Sequence, residues 1–125
     1  MKKIVVLLLS GAVLTTAYAQ SEEEDYAVVL PAAAQECVLP AAPDAIPPDA
    51  DYDALVAAKG HVAEFQTGLE SYRTCLKNAE NAPDLTAGNK QAMVASFNYS
   101  VDMEERVAQR FNEAIRSYKE RTAAQ

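Results

Sequence analysis

Apolar residues recur every seven positions through the middle of the chain. Leu55, Val62, Leu69 and Leu76 form one series, and Ala58, Phe65, Tyr72 and Ala79 follow three positions after each. That is an a/d seam held over about four heptads, and it predicts a helix over 51–80 that packs lengthwise against one partner. Asn81-Ala82-Pro83-Asp84 interrupts the pattern. Apolar residues then resume with helical spacing at Val94, Phe97, Val101, Ala108, Phe111, Ile115 and Tyr118, and Met93, Val107 and Ala114 widen the stripe. This predicts a second helix over 86–121, with Asp84 or Thr86 as its cap. Glu104 falls inside the stripe and predicts a frayed or hydrated point in the seam. The short connection makes the two helices antiparallel neighbours.

The stripe on the second helix is wider than one partner helix can cover. Met93, Phe97, Val107, Phe111 and Ala114 are therefore the expected face for a partner, either a second copy or a protein of the cell envelope. A two-helix core of this size is small, which favours a homodimer.

The pattern differs before residue 51. Cys37–Ala50 holds Pro40, Pro43, Pro47 and Pro48, which exclude a helix and favour an extended arm. At about 3.1 Å per residue, the fourteen steps from Cys37 to Asp51 reach roughly 43 Å. The helix from Asp51 to Cys75 rises about 36 Å at 1.5 Å per residue. An arm of that length can run back along the helix and be tied to it by a Cys37–Cys75 disulfide. Two unpaired thiols, or pairing between chains, are the alternatives. The covered column would be Ala54, His61, Gly68 and Cys75, with Val38, Leu39 and Ile46 turned inward. Gly68 reads either as a point of close approach or as a glycine tolerated on a surface.

The first nineteen residues carry Lys2 and Lys3, an apolar run from Ile4 to Leu14 and Ala17-Tyr18-Ala19. They read as a bacterial signal peptide cleaved before Gln20. The expected setting is the periplasm or the medium, with no stable membrane insertion after cleavage, and an oxidising compartment suits a disulfide. Residues 20–36 are expected to be a flexible acidic segment.

Charge sharpens the division. The whole chain has a net charge of −7. Residues 20–58 hold nine acids and no Lys or Arg, whereas 59–125 hold nine of each. An acidic arm argues against nucleic acid and anionic lipid as partners. At the open end of the hairpin, Asp49, Asp51 and Asp53 are expected to meet Arg116, Lys119 and Arg121. The single histidine, His61, has no thiolate or histidine cluster with which to hold zinc, and no serine has a plausible triad setting. The reading is therefore no catalytic residues, no cofactor and no metal.

The segments Tyr72-Arg73-Thr74-Cys75-Leu76, Asn98-Tyr99-Ser100-Val101-Asp102 and Phe111-Asn112, with the cysteine and prolines of the arm, resemble a group of small secreted proteobacterial proteins of unknown function. The similarity covers residues 36–121 and implies no activity. The sequence thus predicts an all-α protein: an antiparallel two-helix hairpin with a proline-rich extended N-terminal arm tied back by a disulfide. The expected role is that of a non-catalytic envelope interaction module. A small periplasmic chaperone acting in acid or envelope stress is the alternative.

Overall fold

The structure is a computed structural model and describes residues 27–125. Residues 1–26, on which the expected signal peptide and the start of the expected acidic segment fall, lie outside the described residues. The elements are α1 (Ala32–Gln35), α2 (Tyr52–Ala79) and α3 (Ala87–Ala123), with no strand among the described residues. α2 and α3 pack as an antiparallel hairpin: Tyr72 and Leu76 of α2 cluster with Met93, and Phe65 and Leu69 with Val107.

Both long helices begin where their caps stand. The Asp51 side chain accepts a hydrogen bond from the Ala54 amide at 2.8 Å, which satisfies one of the orphan donors of the first turn. Thr86 and Asn89 form a reciprocal capping box, each side chain bonding the other's amide. In the connecting turn Asp84 adopts a left-handed conformation, φ 59°, which short polar side chains tolerate better than most.

The α2 seam lies in the core as its heptads require. Leu55, Phe65, Leu69, Tyr72, Leu76 and Ala79 are buried, and Ala58 and Val62 half-buried. The α3 stripe needs a correction of one residue. Met93, at 3% exposure, and Val107, at 8%, are core positions, whereas Val94 is 58% exposed. The column facing α2 is Met93, Ser100, Val107 and Ala114. A shift of one residue is a rotation of about 100°. Ser100 disguised the true seam by being polar, yet it is fully buried. Met93 and Val107 are consequently not open to a partner. Phe97 packs against the buried cluster at the hairpin tip, and Phe111 and Ala114 are half-buried.

The arm is tied where the length argument places it. Cys37 and Cys75 form a disulfide with Cα atoms 5.6 Å apart, inside the range the bond requires. Pro40 lies against Gly68: a Cβ added there would meet Pro40 Cβ at 3.0 Å and Cγ at 3.1 Å. Gly60, one residue from the covered column and so turned about 100° away from it, faces open space. Of the three side chains expected inward, Ile46 is so and Val38 and Leu39 are not. Val38 is 79% exposed and Leu39 is exposed, while Cys37, Pro40, Pro43 and Ile46 are half-buried. Every third residue faces the helix, as the three-residue turn of a polyproline helix dictates.

The segment before the arm is also more ordered than its composition suggests. α1 seats Ala34, nearly fully buried, among Tyr72, Leu76, Ala79 and Met93, with Leu30 and Cys37 beside it. Asn89 Nδ2 donates to the Val29 carbonyl at 2.8 Å, which ties this segment to the start of α3. Leu30, Ala34 and Cys37 thus pack over the hairpin tip, where a flexible acidic segment was expected.

Two measurements check this arrangement. Reducing the disulfide removes a stabilisation of about 4 kcal/mol in the chain-entropy view. It should expose Val38–Asp49 to protease before α2 and α3 melt. Gly68→Leu should free the same segment by steric overlap with Pro40, whereas Gly60→Ala should raise stability by about 0.5–1 kcal/mol. Equal protection of the arm in Gly68→Leu and wild type would show that the contact does not hold it.

Candidate functional site

The hairpin has two flanks, and the arm covers one. On the other flank a polar rung crosses between the helices. Arg73 Nε donates to Ser100 Oγ at 2.9 Å, and Arg73 Nη2 donates to the Ser100 carbonyl at 3.1 Å and to Glu104 at 2.5 Å. Ser100 Oγ in turn donates to the Phe97 carbonyl at 2.6 Å. The guanidinium also lies over the Phe97 ring, 5.9 Å from its centre. Glu104 is therefore paired across the seam, with its side chain 30% exposed; Arg73 satisfies it and the buried serine together. No buried side-chain polar atom among the described residues is left without a partner. The sequence carries no signal of this role for Arg73, although it stands in one of the segments that carry the resemblance and Ser100 in another.

The expected carboxylate pairs at the open end are replaced by main-chain contacts. Arg121 donates to the carbonyls of Pro48 and of Ala50, the latter at 2.7 Å. Asp51 is committed to its cap. The arm is thus fixed at both ends: by Cys75 and Gly68 near the tip, and by Arg121 at the open end.

Between these fixed points the arm roofs a cleft of about 640 Å³. Its roof is the run Pro40–Pro47. Ala58, Val62, Phe65 and Val107 contribute an apolar floor. His61, Glu64, Asp44 and Arg110 supply the charged and polar groups of its lining. His61, assigned to arm docking, lies in this cleft, exposed, with Nδ1 3.8 Å from Glu64. Gly68 meets the arm directly and His61 lines the space beneath it.

Beside the rung, the flank that the arm leaves uncovered carries a second apolar area at the open end. Tyr52 and Val56 of α2 are 63% and 53% exposed. On α3, Ala108, Phe111, Ile115 and Tyr118 are half-buried on the same flank, on the side of Glu104. Among the described residues no three or more His, Cys, Asp or Glu gather in metal-binding geometry. No helix among them is long and apolar enough to cross a membrane. The disulfide fits a compartment outside the cytoplasm. Comparison with protein-family models, curated proteins and solved structures finds no match.

The rung makes a sharp prediction. Arg73→Met leaves Glu104 and Ser100 partly desolvated without their donor and should cost about 2–3 kcal/mol in urea unfolding. Adding Glu104→Leu should recover most of that loss. A cost below about 0.5 kcal/mol for Arg73→Met would mean that water replaces the guanidinium freely.

Proposed function

We propose that the protein is a non-catalytic helical interaction module of the bacterial periplasm or medium, acting through the flank of the hairpin that the arm does not cover. The observation that carries this reading is the open-end patch of Tyr52, Val56, Phe111, Ile115 and Tyr118, apolar on both helices. The first occupant is a second copy of the chain. Exposed Glu105 and Lys119 border the α3 part of the patch along one edge, one towards each end. Antiparallel apposition of two α3 helices sets each Glu105 against a Lys119 of the other copy, twice per dimer. Ala108 lets the helices approach closely. The four-helix arrangement that results is a common way for hairpins to enlarge a small core. The apparent signal peptide, the disulfide and the acidic arm support the envelope setting.

Sedimentation at micromolar concentration should show a dimer. Ile115→Asp should return it to monomer with helix content intact. Glu105→Lys and Lys119→Glu should each weaken association, and the double exchange should restore it. Charge pairs of this kind are worth roughly 0–1 kcal/mol each, so a shift of a fewfold in the dimer constant is expected for each single change. A wild-type chain that stays monomeric at every concentration overturns the second copy as occupant; an envelope partner held on the same patch is then the alternative outcome, read by crosslinking through Tyr52 or Val56.

A further inference from the structure

The cleft beneath the arm lies on the opposite flank from the association patch and serves no part of that reading. Its 640 Å³ falls within the roughly 300–1,000 Å³ typical of small-molecule sites. The floor, formed by Phe65 and Val107 with Ala58 and Val62, is apolar, and Phe65, Val107 and Val62 belong to the interhelical core. The roof is held at both ends, so the space does not depend on a loose loop.

The lining is weighted towards acceptors. Pro40, Pro43 and Pro47 have no N–H to offer, so the roof is short of donors, and the Pro47 carbonyl is taken by the Ala50 amide. Asp44 on the arm and Glu64 on α2 add two carboxylates against the single guanidinium of Arg110. Of residues 27–58, Glu36, Asp44, Asp49, Asp51 and Asp53 are acidic and none is Lys or Arg, which extends the same negative field. An apolar floor with an acceptor-rich, anionic surround calls for a ligand with the opposite character: an apolar body ending in a cation that donates hydrogen bonds.

We propose that this strapped cleft binds a small amphiphilic ammonium compound, its apolar body over Phe65 and Val107 and its ammonium group between Asp44 and Glu64. Arg110 sits at the cleft as the one repelling charge and directs the cation away from the α3 side. His61 shares Glu64 with the ligand.

Decylammonium, decanol and decanoate, each kept below micelle formation, form the test on the oxidised full chain followed by amide NMR. Decylammonium should bind tightest and move the signals of Ala41–Ile46, His61 and Phe65; decanol should bind more weakly and decanoate weakest. Asp44→Asn with Glu64→Gln should weaken decylammonium about fivefold and leave decanol unchanged, as two exposed ion pairs imply. Arg110→Gln should strengthen it. Ala57→Leu, at an exposed lining position, should weaken all three while leaving the fold intact. Binding of decanoate equal to that of decylammonium overturns the proposal. So do signal changes confined to Tyr52, Val56 and Ile115, or no binding by any of the three.

Discussion

The bond between Cys37 and Cys75 fixes one end of an extended chain at the tip of a helical hairpin, and the layout of one whole flank follows from that tether. Fourteen residues of arm must travel from there to the start of α2 at the open end. Prolines keep the route straight, and the helix offers Gly68 where the arm passes closest. A hairpin of two helices cannot bury both of its flanks. This chain closes one flank with a segment too proline-rich to be a helix, and it leaves the other flank to a polar rung and an apolar patch.

The two flanks solve the burial problem differently. Beneath the arm the core is apolar, with Phe65, Leu69 and Val107 in one cluster, and the disulfide adds stability to a small core by restricting the unfolded chain. On the uncovered flank Arg73 draws Ser100 and Glu104 into one network. Such a network contributes less to net stability than apolar packing of the same volume, but it fixes how α2 and α3 align, because a slip of either helix strands all three groups.

Different parts of this fold were legible in the sequence to different degrees, for physical reasons. The α2 heptads were unambiguous because α2 buries one narrow seam. The α3 stripe was apolar over a wider arc, so its centre was set by polar residues that sequence reasoning treats as outward: Ser100 and Glu104 belong to the seam because Arg73 reaches them from the other helix. The arm's path followed from chain length, prolines and the two cysteines. Its inward residues followed only in part: Ile46 turns inward, but Val38 and Leu39 look like core by hydrophobicity and the polyproline turn places them outside. α1 left no mark in periodicity, being four residues long. The role of Arg121 was hidden because its acceptors are main-chain carbonyls, which every residue has. The cleft had no sequence signal at all beyond the column of residues the arm crosses.

The inward spacing of the arm bears on how this architecture can change length. Three residues of polyproline advance about 9.3 Å, and one heptad of α-helix advances about 10.5 Å. The pairs Cys37–Cys75 and Pro40–Gly68 follow that ratio, three arm residues to seven helical ones, and the arm falls about 1 Å short at each step. Arm and helix therefore act as two rulers of nearly matched graduation. Adding or removing one residue in the arm turns everything beyond it by a third of a revolution and points Ala and Asp side chains at α2 in place of Pro and Ile. The two segments are coupled in phase as well as in length, so a longer or shorter form that keeps this contact needs paired changes: three residues in the arm for each heptad of the helix.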